Sequence, residues 1–308
     1  MWIATAALIL IGTGPQVLPG QSFGKNKVRH EMFNFRRYNR LTFDLLAYPP
    51  VDVAAVETAR KAERWNHRYR TLFGHTLTER QPIIVYESQA DFDQTNVIPG
   101  LIPRGVRGVT EGRGGRVVLP LSASNEENDH VLGHELVHAF HFDMLQGRSR
   151  APLWLLEGMA EYATRGPKDA ETAMWLRDAV AREDIPTIHE LSRGSDYSPY
   201  RWGHALWAYI AYRYGDEVIG EFYPAALNRG MRKATESVLE ISVQKLSEEW
   251  HAFLKSKFGD EVEGKTPRRS WESSLHRPAS LSAFRLFSVP TKDTSPTLVG
   301  RRPSPWSS

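Results

Sequence analysis

The chain has no cysteine, which rules out disulfides, thiolate metal ligands and a cysteine nucleophile together. It also has no strong charge of either sign: 39 Lys and Arg stand against 36 Asp and Glu, a formal +3. Eight of the basic residues and only two of the acids fall between Lys265 and Ser308, so the rest of the chain carries −3. The basic residues of that tail alternate with Ser and Pro instead of gathering on a recognisable binding element, so a nucleic-acid partner is not expected. Nor does the N-terminal apolar stretch, Met1 to Ile11, reach membrane-spanning length before Gly12, Gly14 and Pro15 break it. It has the length of a secretory hydrophobic region, although it lacks a basic start and a small-x-small cleavage site before Gln21. Residues 1–24 therefore read as a signal peptide or an N-terminal anchor. The expected location is periplasmic or extracellular, with membrane contact only through this segment if it stays uncleaved. At 308 residues the chain can bury one sizeable core or two modest ones.

What is present is more specific. His134-Glu135-Leu136-Val137-His138 is followed, after eighteen intervening residues, by Glu157 in Trp154-Leu155-Leu156-Glu157-Gly158-Met159-Ala160-Glu161-Tyr162. On a helix, positions four apart share a face, so His134 and His138 can offer two imidazoles to one metal ion. Glu135 lies at the edge of that face, placed to act as a base without being a ligand. A bare HExxH is weak evidence, and the bland alternative is an amphipathic helix with surface or core histidines. Three features argue against that alternative. Ser124 with Glu127 reads as a capping box at the helix start. Leu132, Leu136, Ala139 and Phe140 supply an apolar face. Glu157 and Glu161 sit one turn apart among Leu153, Leu155, Leu156, Met159 and Ala160, where carboxylates are costly unless they meet a cation.

The third ligand defines the type of site. A metzincin requires Gly and His at positions 141 and 144, which here are His141 and Met144. A cysteine ligand is excluded. A glutamate on a following helix remains, and helix geometry alone leaves both Glu157 and Glu161 open. The segment resembles the Trp-Leu-x-Glu-Gly-x-Ala stretch of gluzincin aminopeptidases, whose spacing also matches. That resemblance implies a single Zn2+ ion held by His134, His138 and Glu157, with Glu161 orienting the first histidine. Downstream, Tyr200-Arg201-Trp202-Gly203-His204 resembles the segment carrying their oxyanion-stabilising tyrosine. Tyr200 is the candidate, with Tyr197, Tyr209 and Tyr212 as competitors. His204, one turn on, either lines the same cleft or is structural.

The organisation around these motifs is mixed. Leu41 to Tyr48 and Pro82 to Tyr86 read as strands, and Val53 to Phe73 as a helix ended by Gly74. Gly105 to Thr110 and Arg116 to Leu121 read as a hairpin. Its second strand is expected at the sheet edge, available to an extended substrate. Beyond Thr164 helices are expected over Ala170–Arg182, Arg201–Tyr214, Asp216–Leu227 and Val243–Phe258. From Gly264 apolar periodicity is lost, and residues 264–308 read as a disordered, basic Ser/Pro-rich tail. The fold class is α+β: a zincin-like, two-lobed domain over residues 30–258, with a small mixed sheet and metal-binding helix followed by a mainly helical lobe.

Together with Phe43-Asp44-Leu45-Leu46-Ala47-Tyr48 and the pair Tyr214-Gly215, these motifs resemble the peptidase-MA-like domain, a gluzincin type often found before Tol-like β-propellers. No blade-like repeat follows Phe258 in this sequence, and no Gly-x-Met-Glu-Asn stretch, the aminopeptidase element that binds a substrate's free amine, is present. The resemblance implies a zinc metallopeptidase acting on a peptide or protein, as an endopeptidase rather than an aminopeptidase. The rival readings are a catalytically degenerate zincin acting as an envelope binding module, and a metal-free helical scaffold with a chance motif. An intact Glu135 argues against the degenerate zincin.

Overall fold

Three β-branched or apolar runs, Phe43–Ala47, Gln81–Tyr86 and Val117–Pro120, form the parallel centre of a five-stranded sheet in a computed structural model. The model describes residues 31–49, 51–97, 101–103, 105–112, 115–145, 151–194 and 196–264. The expected leader (1–24) and, Gly264 aside, the expected tail lie outside the described residues.

In chain order the strands are β1 (Arg36–Asn39), β2 (Phe43–Ala47), β3 (Gln81–Tyr86), β4 (Val109–Thr110) and β5 (Val117–Pro120), arranged β1-β2-β3-β5-β4. Both outer strands run antiparallel to their neighbours, so the sheet is mixed. Side chains alternate across a strand, and both faces are used. Phe43, Leu45, Ala47, Ile83, Val85, Val117 and Leu119 point into the main core. Tyr48, Tyr86 and Val118 face the other way, into a smaller cluster with Phe92 and Val106.

The helices are α1 (Asp52–Phe73), α2 (Gln89–Phe92), α3 (Asn125–Met144), α4 (Leu153–Arg165), α5 (Ala170–Arg182), α6 (Ile188–Arg193), α7 (Pro199–Tyr214), α8 (Val218–Arg229), α9 (Met231–Val238) and α10 (Val243–Val262). The architecture is thus α+β, with the sheet early and helices dominating after it. Sheet and helices share one continuous apolar core, from Phe43 on β2 through Trp154 and Trp207 to Trp250 on α10. Among the described residues no helix is long and apolar enough to cross a membrane.

Two expectations change. The strand expected over Leu41 to Tyr48 is β2, trimmed to Phe43–Ala47, and an unexpected strand before it, β1, pairs with β2 from Arg36↔Ala47 to Asn39↔Asp44. And β5 is not an edge. The hairpin closes β4 onto its outer side, pairing Val109 with Val118 and Thr110 with Val117. The free edge therefore belongs to β4.

Candidate metal centre

The site is assembled by α3, α4 and the start of α7. Ser124 caps α3 by accepting from the Glu127 backbone N–H at 3.2 Å. The expected reciprocal half of the box is absent, because the Ser124 N–H donates to Ser122 Oγ at 3.1 Å instead. Leu132, Leu136 and Phe140 bury one side of α3 beside Tyr69 and Phe73 of α1. The Tyr69 hydroxyl donates to the Gly133 carbonyl at 3.0 Å. Gly133 is glycine for room: a Cβ there would lie 2.7 Å from Thr164 Cγ2 and 2.8 Å from the Trp65 ring. With that side committed to the core, His130, His134 and His138 form a stripe of spacing four along the other.

Glu157 reaches this stripe from α4. Its Oε2 lies 3.2 Å from His134 Nε2 and 3.4 Å from His138 Nε2, and the two Nε2 atoms are 3.3 Å apart. A tetrahedral ion with ligand bonds of ~2.05 Å sets its ligand atoms about 3.3 Å from one another, so the three atoms match the base of such a tetrahedron. The chemistry fits as well as the geometry. Burial disfavours charge on His134, yet hydrogen bonds to Glu157 and Glu161 outweigh it and raise the imidazole to about 10. Glu157, despite its burial, is held well below the ordinary carboxylate range by His138 and His134. The cluster therefore stabilises positive charge between its three ligand atoms. A proton can supply that charge, and so can a metal ion that displaces it.

Glu161 does not join this triad. Its Oε1 lies 3.0 Å from His134 Nδ1, the ring nitrogen on the far side from Glu157. A proton on Nδ1 leaves the Nε2 lone pair facing Glu157 and His138, the arrangement that ligating histidines require. His130 Nε2 also approaches Glu161 Oε1, at 3.1 Å, so His130, His134 and Glu161 form a second group of metal-ligand type. That group is already served by a cation, since Arg165 Nε donates to Glu161 Oε2 at 2.6 Å and Arg165 Nη2 lies 3.3 Å from His130 Nε2. His138 Nδ1 is buried with no hydrogen-bond partner.

Glu135 is 7% exposed and faces β4. The Thr110 hydroxyl donates to its Oε2 at 2.8 Å and lies 2.9 Å from its carbonyl oxygen. Gly108 passes beside the other oxygen: a Cβ there would stand 2.8 Å from Glu135 Cγ and 2.9 Å from Oε1. Thr110 thus holds one oxygen, and the missing side chain at Gly108 makes the room that the other occupies.

Of the four tyrosines in question, Tyr200 is the one stacked on His134, with ring centroids 6.1 Å apart and planes at 26°. Burial first, and then the charges of Glu157, Glu135 and Glu161, push its hydroxyl far above the ordinary tyrosine value. Tyr197 bonds Asp184 at 2.9 Å, Tyr209 packs on Phe253, and Tyr212 is exposed. His204 is buried, with Nε2 2.8 Å from the Gly166 carbonyl, and does not reach the triad. What brings Tyr200 to Glu157 is the crossing of α4 and α7 at Gly158 and Gly203, where the two backbones touch. Trp207 Nε1 locks the crossing by donating to the Leu155 carbonyl at 3.1 Å.

Sequence reasoning missed four residues here: Gly108, Thr110, His130 and Arg165. His130 continues the spacing-four stripe, and Arg165 stands four residues after Glu161, so both were readable as helix-face neighbours. Gly108 and Thr110 carried no such signal, because their role depends on how the hairpin lies against α3.

Two crystal structures of a two-domain M1 zinc metallopeptidase variant, one bound to L-arginine and one to L-tryptophan, are similar to this chain. Each shares 16% sequence identity with it at a TM-score of 0.42, covering 71% of this chain and 51% of theirs. The chain spans about half the length of those proteins. No family model matches it, and no curated protein matches it. A likeness of that degree leaves the chemistry to be read from the site.

Proposed function

We propose that the protein is a zinc-dependent peptidase that hydrolyses internal peptide bonds, with His134, His138 and Glu157 holding one Zn2+ ion. The observation that carries this reading is the near-equilateral set of Nε2, Nε2 and Oε2 atoms, 3.2 to 3.4 Å apart. A zinc ion held there supplies Lewis acidity, acidifying a water and polarising a carbonyl oxygen.

The chain's own groups do the rest. Glu135, whose carboxylate fits beside Gly108 because that residue has no side chain, accepts the proton of the attacking water and later passes it to the departing amine nitrogen. Thr110 holds the carboxylate through its bond to Oε2. Tyr200, protonated at any physiological pH, donates to the oxygen that gains negative charge. The edge strand β4 lies alongside Glu135 and offers its outer side to an extended peptide.

Two features support cleavage within a chain. The sequence lacks the amine-binding stretch, and the acid next to β4, Glu111, is gripped by Arg116 at 2.6 and 2.8 Å. A carboxylate so neutralised offers little to a substrate's free ammonium. The apolar N-terminal stretch supports export, and the −3 charge of the chain before Lys265 suits a peptide substrate rather than a nucleic acid.

Glu135→Gln tests the mechanism. The variant should keep its zinc while turnover on a mixed peptide library falls about 10²- to 10⁴-fold. Undiminished turnover would remove Glu135 from the reaction.

A further inference from the structure

We infer that Arg165 is a positioning residue for the metal centre: by fixing Glu161 it holds His134 in the one orientation that aims Nε2 at Glu157 and His138. The inference rests on the metal-binding reading above and extends it to a residue two contacts away from His134.

Glu161 is buried, and its two oxygens have different partners. Oε1 takes His134 Nδ1 at 3.0 Å and His130 Nε2 at 3.1 Å. Oε2 takes Arg165 Nε at 2.6 Å, while Arg201 Nη1 lies 3.9 Å away, outside hydrogen-bonding range. The terminal torsion of a glutamate is broad and two-fold, so a carboxylate anchored at one oxygen alone can turn. Anchored also at Oε2, its plane is set, and so is the direction from which Oε1 meets His134.

The anchor is itself braced. Arg165 Nη1 lies 3.4 Å from Asp169 Oδ1, and Asp169 Oδ2 lies 3.2 Å from Arg201 Nη1. Arg201 follows Tyr200 directly, so this chain of ion pairs ties the α4 terminus to the turn of α7 that faces the site. The position also explains why the second histidine–carboxylate group serves orientation instead of metal binding. A guanidinium within 3.3 Å of His130 Nε2 would repel a divalent ion placed there.

Arg165 ends α4 and its side chain is 31% exposed, so it can be changed without opening the core. The test compares wild type, Arg165→Met and Arg165→Lys by zinc affinity in chelator competition and by the visible spectrum of the Co2+-substituted protein. Arg165→Met should bind zinc about 10- to 100-fold more weakly and shift the cobalt bands, while Arg165→Lys recovers most of both. If Arg165→Met does not fold, Arg165→Gln is judged by the same two readouts. Zinc binding within about twofold of wild type and an unchanged cobalt spectrum would overturn the inference and leave the metal centre standing. A wild type that binds no zinc would instead remove the reading beneath it.

Discussion

Gly158 and Gly203 touch backbone to backbone: a Cβ on Gly158 would lie 2.3 Å from the Gly203 Cα, and one on Gly203 would lie 2.2 Å from the Trp154 carbonyl oxygen. Glu157 precedes the first glycine and Tyr200 stands three residues before the second, so this contact sets the distance between the proposed metal ligand and the tyrosine near it. Gly158→Ala must push the two helices apart. The variant should lose about 1–3 kcal/mol of stability, read as a lower melting temperature, and its zinc should be easier to strip with a chelator. A wild-type melting curve would show that the crossing has slack.

Tyr200 offers a cleaner substitution, because Tyr200→Phe keeps the ring on His134 and removes only the hydroxyl. Turnover should fall about 100-fold with zinc content and KM little changed, since the bond to the charged oxygen is made only as the reaction proceeds. An equal loss in binding and turnover would place the hydroxyl in substrate recognition instead.

The metal-free protein should weaken in acid through a residue outside the triad. Burial pushes the His141 imidazole down from 6.5 to about 3. Below pH 6.5 the unfolded chain takes up a proton there that the folded chain refuses, so stability falls as pH falls, by up to about 1.4 kcal/mol per unit. His204, also lowered by burial, adds to the same slope. Glu157 and Glu161, whose histidine contacts hold them low against the cost of burial, lose their contribution only below about 4.5, their ordinary value. His134, raised to about 10, is protonated in both states below 6.5 and adds no slope there. Urea unfolding from pH 6.5 to 4.5 should therefore show a smaller slope in His141→Gln. An unaltered slope would mean that His141 is hydrated in the folded state.

Much of the site was legible in the sequence because its geometry is local. Spacing along one helix puts His134 and His138 together, and the Glu-Gly pair marks α4 before any tertiary structure is known. The boundaries of α1, α5 and α7 were close for the same reason: apolar periodicity runs through all three, and Gly74 and Gly215 end α1 and α7. What could not be read is whatever depends on contacts between distant segments. Which of Glu157 and Glu161 faces both His134 and His138 depends on the angle between α3 and α4, since the two acids sit on the same face of α4. The edge position of β4 depended on which hairpin strand faces outward, and two residues give no alternation to settle it. The short α6 carries a full capping box at Thr187 and Glu190, yet six residues show no usable period. Arg165 acts on the metal site through Glu161 and so leaves no trace in a search for ligands.

The most direct measurement is the zinc content of protein purified without chelator, taken side by side for wild type and His138→Ala. Wild type should carry one zinc per chain and His138→Ala essentially none, because two atoms of a three-ligand set bind far more weakly than three. A wild type without zinc, or a variant that holds as much as wild type, would contradict the metal centre described here.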